Sequence, residues 1–305
     1  MTEFVSVSGG RIACDVSGDG PLLVLSHGMG EHRQVFRHMV PLLAAAGYRV
    51  VNVDIRGHGE SSPNWASETG KSAISRTDVA GDLIEVIAHF GGPAVIVGHS
   101  ISGGAATIAA ATAPDLVSGI VELGPFTLTQ HMELLAMLRV RRYRRGMIRL
   151  GLLFALRSPR IWFRYLDIAY PTKPDDYTEY MAGVAAILRE PGRMAEFMKA
   201  GATTPADAHA QLPYVACPAL VIMGTLDPDF PDPRVEAESI VEAMRPGIGR
   251  VAMLDGAGHY PHGQMPGATA ELILDFLSTR LPRSWAQRGH RAAEGTRVGD
   301  GHRVG

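Results

Sequence analysis

The chain has 305 residues, with 29 lysines and arginines against 31 aspartates and glutamates, and 46% of it is hydrophobic. That length suits one large α/β domain, or a core with an insertion, and is ample for a sizeable buried core. The small net charge of −2 gives no reason to expect nucleic acid as a partner, and two cysteines, Cys14 and Cys217, are too few for a disulfide framework.

The first residues carry Glu3 and no long apolar core, so no signal peptide is expected. No run nears the ~20 apolar residues of a membrane span. A reduced, cytoplasmic setting follows from both readings.

In chain order, "EFVSV" and "RIACDV" flank Ser8-Gly9-Gly10 and predict a hairpin. "PLLVLSHG" predicts a buried strand, "RQVFRHMVPLLAAAG" a helix stopped by Gly47, and "YRVVNVDIRG" the next strand. Ser75 is placed to cap a helix over "RTDVAGDLIEVIAHFGG". A strand at 94–98, a helix from about 101 to 113 and the strand "LVSGIVELG" follow. "ALVIMG" and "RVAMLDG" are two further strands, and "GATAELILDFLSTRL" is a closing helix. Short apolar runs alternating with helices imply an α/β fold whose mostly parallel sheet is covered on both faces.

Between residues 125 and 212 the strand pattern disappears and helical stretches dominate. We expect a helical cap inserted between two parts of one core, residues 1–124 and 213–282, lying over the strand ends where open α/β sheets bind ligands. Residues 283–305 are polar and glycine-rich, contain five arginines and lack apolar periodicity, which predicts a disordered tail.

The stretch "AVIVGHSISGGAAT", residues 94–107, joins a strand to a helix through small residues. A serine on such a turn is pushed clear of the sheet, with its hydroxyl available as a nucleophile. Two registers are open, because Ser102 stands where Gly98-x-Ser100-x would ordinarily be completed by glycine, and Ser100-x-Ser102-x-Gly104 also fits. Ser100 is favoured, since the strand stops at Gly98 and Ser102 is small enough for the crowded turn.

A serine hydroxyl needs a neighbouring base, and an imidazole base needs a carboxylate to fix its tautomer. "LVIMGTLDPDF" puts Asp227 just past a strand, and "LDGAGHYPHGQ" puts His259 in a glycine-rich loop after the next one. Asp229 and Asp232 sit in the same loop, where either could serve as a loop cap; Glu122, near the end of the preceding strand, could supply the acid instead, and His262 is a rival base. His99 reads as structural, as do Asp54, Arg56 and His58. His259 and His262 near aspartates could also be read as a metal site, but the spacing is loose and no cysteine joins it, so no metal or other cofactor is expected.

The segments "SHGMGEH", "DIRGHGESS", "GHSISGG", "GTLDPDF" and "GAGHYPHGQ" together resemble the α/β-hydrolase fold family over residues 1 to about 282, most weakly across the insertion. "HGMGEH" is similar to the monoacylglycerol lipase and lysophospholipase branch. The resemblance implies an oxyanion hole built from the backbone N–H groups of Met29 and Ile101. Losing one such donor typically costs about 3 kcal/mol of transition-state stabilisation. Haloalkane dehalogenases and epoxide hydrolases put an aspartate where Ser100 stands.

From Leu134 to Leu166 there are nine arginines and no acidic residue. Ala136, Val140, Tyr143, Met147, Leu150 and Phe154 recur on one helical stripe, with most arginines opposite. Val140, Tyr143 and Met147 are the expected substrate contacts. Gly146 and Gly151 predict two short helices rather than one. The basic side is either a solvated face or a surface for anionic substrate or lipid. These readings predict a cofactor-free serine hydrolase acting on a small-molecule carboxylic ester, lipid-like or lactone, through an acyl-serine. Thioester, amide or perhydrolysis chemistry would use the same triad, and a ligand sensor with little turnover could retain it.

Overall fold

Eight of the apolar runs become strands of one sheet in the computed structural model, which describes residues 2–65, 74–130, 132–282 and 285. They are β1 (Thr2–Val7), β2 (Gly10–Ser17), β3 (Leu22–Ser26), β4 (Arg49–Val53), β5 (Ala94–His99), β6 (Val117–Leu123), β7 (Ala219–Gly224) and β8 (Gly249–Leu254). The spatial order is β1-β2-β4-β3-β5-β6-β7-β8. The β1–β2 and β2–β4 pairs are antiparallel, and every later pair is parallel.

The central strands are apolar along their whole length because both faces are covered. Val24 and Ile96 point to one face, where they pack with Val86, Ala105 and Ile240. Leu23, Leu25, Val95 and Val97 point to the other, against Leu43, Ile273 and Phe276.

The helices are α1 (Val40–Ala45), α2 (Arg76–His89), α3 (Ile101–Thr112), α4 (Leu134–Arg139), α5 (Arg141–Leu156), α6 (Pro159–Ala169), α7 (Tyr177–Arg189), α8 (Arg193–Gly201), α9 (Ala206–Gln211), α10 (Pro233–Ala243), α11 (Pro261–Gln264) and α12 (Pro266–Arg280). Helices α4 to α9 occupy the chain between β6 and β7. Ser75 caps α2 as expected, within a reciprocal pair: its side chain accepts from the Asp78 N–H, and the Asp78 carboxylate accepts from the Ser75 N–H.

Three expectations need correction. The stretch from Arg33 to Gly47 is not one helix: a 3-10 turn at Arg33–Phe36 is followed by the short α1. Pro41 is the cause, since proline has no N–H to donate and is tolerated only in the first turn of a helix. Conversely, α5 runs unbroken through Gly146 and Gly151. Gly146 is there for a close approach, because a Cβ at that position would meet the Pro228 carbonyl oxygen at 2.7 Å. Most of the expected tail lies outside the described residues, but Trp285 within it is only 3% exposed. Its ring stacks on Tyr48, and its indole N–H donates to the Pro93 carbonyl at 3.3 Å.

Candidate active site

Ser100 sits between the end of β5 and the first turn of α3 with φ 56° and ψ −118°. A non-glycine residue in that region carries roughly 1–3 kcal/mol of backbone strain. The surrounding packing holds it there. Its N–H donates to the Leu123 carbonyl at 3.0 Å, and its carbonyl accepts from Phe126 N at 3.2 Å. The turn is too tight for side chains nearby: a Cβ on Gly98 would lie 2.2 Å from the Ser102 carbonyl oxygen.

The two serines differ in surroundings. Ser100 is 8% exposed and lines a cavity of about 150 Å³. Ser102 is fully buried, its Oγ donating to the His27 carbonyl at 2.6 Å and lying 2.8 Å from Ser26 Oγ. Its hydroxyl is committed to tying α3 to the end of β3.

His259 Nδ1 donates to Asp227 Oδ2 at 2.9 Å, which leaves Nε2 as the nitrogen able to take a proton. A Cβ on Gly124 would lie 3.1 Å from that Nδ1 and 3.3 Å from the Asp227 carboxylate, so the pair closes over a residue without a side chain. The Phe126 ring lies 5.7 Å from the His259 ring, so the segment that receives the Ser100 carbonyl also packs on the imidazole. The loop is fixed from below by His99, whose Nε2–H donates to the His259 carbonyl at 2.9 Å.

A second carboxylate faces the same nitrogen. Asp229 Oδ2 lies 3.4 Å from His259 Nδ1 and accepts from the Tyr165 hydroxyl at 2.6 Å. Burial alone would lower the imidazole pKa. Asp227, Asp229 and, more weakly, Glu31 outweigh it and push the pKa up to about 9. Burial raises the Asp229 carboxyl in turn, with His259 opposing and Asp227 reinforcing. The donor atoms of Asp227, Asp229 and His259 lie within 4.8 Å of one another, as in a metal-binding group. Both carboxylates are already engaged by His259, Tyr165 and the Asp229 N–H, which donates to Asp227 Oδ1 at 3.0 Å.

The other candidates lie apart. Glu122 is fully buried and accepts from Thr107 and Thr127; burial pushes its carboxyl up to about 7 against those two hydrogen bonds. Asp232 caps α10. Both ring nitrogens of His262 are buried without a partner, among Phe36, His99 and Tyr260, and burial holds its pKa well down.

The expected oxyanion donors, Met29 and Ile101, both line the cavity beside Ser100. Gly28 makes the approach of their two loops possible, since a Cβ there would meet His99 Nδ1 at 2.7 Å and Ser100 Cβ at 2.9 Å. His27 is structural: Nδ1–H donates to the Gly28 carbonyl at 2.7 Å, and Nε2 accepts from the Ile55 N–H at 3.1 Å. Burial pushes its pKa down to about 3, so the ring is neutral and both bonds persist. Asp54, Arg56 and His58 stabilise loops, with Arg56 forked onto Asp82 by two bonds of 2.7 Å.

The remaining lining comes from Arg76, Phe126, Leu150, Phe154, Ala200, Gly201 and Thr203. Val140, Tyr143 and Met147 are not among these residues. The expected stripe is broken, with Ala136 on α4 and Val140 extended between the two helices; of its members on α5, the turns that reach the cavity are those of Leu150 and Phe154. Phe154 is pressed against Gly201 of α8, where a Cβ would lie 2.1 Å from the ring. Sequence reasoning also missed Asp229 as a partner of His259, and Arg76. The signal for Arg76 was present: a cation at the first position of a helix opposes the helix dipole.

This sheet order, with Ser100 at a strained strand-to-helix turn and His259 paired to Asp227 from two later loops, is the architecture of the α/β-hydrolases. The sequence model of the alpha/beta hydrolase family matches residues 23–272, and the chain belongs to that family. Among curated relatives it is 38% identical over 109 residues to Epoxide hydrolase B of Mycobacterium tuberculosis, a match spanning 35% of this chain and 30% of that protein. It is 28% identical over 288 residues to 2-(acetamidomethylene)succinate hydrolase of Mesorhizobium japonicum, covering 90% of this chain and 96% of that one. Among solved structures, a thermophilic esterase from Thermogutta terrifontis superposes with a TM-score of 0.68 at 19% identity, over 94% of this chain and 99% of that one. No helix among the described residues is long and apolar enough to cross a membrane.

Proposed function

We propose that the chain is a serine hydrolase that cleaves a carboxylic ester through an acyl-Ser100 intermediate. The observation that carries this reading is Ser100 held at φ 56° on the wall of a cavity, with the His259–Asp227 pair packed against the segment that binds its carbonyl. An epoxide-opening reading would need a carboxylate at position 100, and the residue is serine.

In this scheme His259 Nε2 removes the Ser100 proton as Oγ attacks the ester carbonyl. The N–H groups of Met29 and Ile101 stabilise the oxyanion. The imidazolium then protonates the leaving alcohol, Ser100 is left acylated, and water deprotonated by His259 releases the acid. Asp227 keeps Nδ1 protonated throughout. Residues 125–212 act as a cap whose α5 and α8 shape the acyl or alcohol subsite. A fluorophosphonate probe should label Ser100, and short p-nitrophenyl esters should turn over repeatedly. One stoichiometric burst without turnover would instead support a ligand sensor on the same triad.

A second reading concerns lipid. Met132, Leu134, Leu135 and Leu138 are 63–74% exposed, beside the arginines of α4 and α5. Apolar side chains flanked by cations suit peripheral contact with an anionic bilayer. Reversing Arg141 and Arg145 should weaken sedimentation with anionic vesicles and leave that with zwitterionic vesicles unchanged. Equal sedimentation of wild type and variant would reject it.

A further inference from the structure

Ser100 shares its cavity with an arginine that forms no ion pair with a carboxylate among the described residues. Arg76 is 5% exposed and lines the same wall. Its stem crosses α3 at Gly104, where a Cβ would lie 2.7 Å from Arg76 Cδ. Nε donates to the Phe126 carbonyl at 2.7 Å, and Nη1 reaches Thr203 Oγ1 at 3.4 Å. A guanidinium has five N–H donors, so most of its capacity is unspent.

Among the described residues, no carboxylate pairs with it. The acid that bears on it electrostatically is Asp207, whose oxygens accept from the Thr77 N–H and hydroxyl and the Ala208 N–H. Burial pushes the Arg76 pKa down to about 10, with Asp207 opposing, so the group stays charged at neutral pH.

A buried, unpaired charge is costly. Its position at the first residue of α2 adds to that cost, because the helix N-terminus is itself positive. The cap of α2 is formed by Ser75 and Asp78 and needs nothing from Arg76. With Nε held by the Phe126 carbonyl, the rest of the guanidinium is left to meet an anion that enters the cavity.

We propose that Arg76 recognises a carboxylate on the substrate, so that the ester cleaved at Ser100 is a half-ester of a short dicarboxylic acid. This deepens the serine-esterase reading and rests on it for the cleavage step. The forked guanidinium matches a planar carboxylate. A single cation among Met29, Ile101, Phe126, Leu150 and Phe154 suits one negative charge on a short apolar chain.

The test compares monoethyl glutarate with its uncharged isostere, ethyl glutaramate, by pH-stat titration on the full chain. Wild type should favour the half-ester at least tenfold in kcat/KM, mainly through KM. Arg76→Gln should reduce that ratio at least tenfold. Should that variant fail to fold, Arg76→Lys, which keeps the charge but not the fork, should show a reduced ratio. A wild-type ratio near one, or a ratio unchanged in a folded Arg76 variant, would overturn the proposal.

A calorimetric arm separates it from the esterase reading. Glutarate should bind Ser100→Ala and fail to bind Ser100→Ala/Arg76→Gln. That result with neither ester cleaved would keep the carboxylate site and remove the esterase. Ester cleavage without Arg76-dependent glutarate binding would do the reverse.

Discussion

Asp229 Oδ2 lies 3.4 Å from the same His259 nitrogen that Asp227 Oδ2 meets at 2.9 Å. One imidazole therefore carries two buried carboxylates, and the protonated ring is stabilised to a pKa of about 9. An unperturbed histidine titrates near ~6.5.

The sign of the effect on catalysis follows. Only the neutral ring can take the Ser100 proton, so kcat/KM should rise with pH and level off above about 9. Asp229→Asn removes one of the two facing charges and should move that inflection to lower pH. A pH–rate profile of both proteins checks this; an inflection near 6.5 in wild type would show that Asp229 does not act on His259 in solution.

The two serines should separate cleanly. Ser100→Ala should abolish ester turnover and fluorophosphonate labelling. Ser102→Gly should retain most activity and lose some stability, because the bond to the His27 carbonyl disappears, typically worth about 1 kcal/mol. Ser102→Val should disturb folding, since a branched side chain has no room in a fully buried turn. Peptide mapping that located the adduct on Ser102 would reverse the assignment.

Asp227→Asn should leave the fold intact and lower kcat by roughly 10⁴, through the wrong imidazole tautomer. Glu122→Gln should have little effect on turnover, because its carboxyl bonds Thr107 and Thr127. Steady-state kinetics of the two variants distinguish them, and a severe loss in Glu122→Gln alone would move the acid to β6.

Leu150→Ala and Phe154→Ala should shift preference along a series of ester chain lengths by several-fold or more. Val140→Ala and Met147→Ala should not, since neither side chain lines the cavity. Competition assays with mixed esters provide the comparison.

Much of this was legible because it is local. Gly98, the cap at Ser75 and the strand ends before Asp227 and His259 are each dictated within a few residues. What was not legible depends on contacts between distant segments. Asp229 looked like a loop residue until Tyr165, from α6, met its carboxylate. The apolar stripe on α5 was visible, but its docking against Gly201 and Pro228 decides which turn faces Ser100. Arg33–Gly47 misled because its apolar spacing is helical while Pro41 forbids a continuous ladder.

Trp285 has a practical bearing. Its partners, Tyr48 and Pro93, precede the first residues of β4 and β5, whereas Ser100 follows the last residue of β5. The six residues of that strand put roughly 20 Å between the two ends. Trp285 is thus pinned at the opposite end of β5 from Ser100. A fused domain joined directly after Trp285 would start roughly 20 Å from the nucleophilic turn.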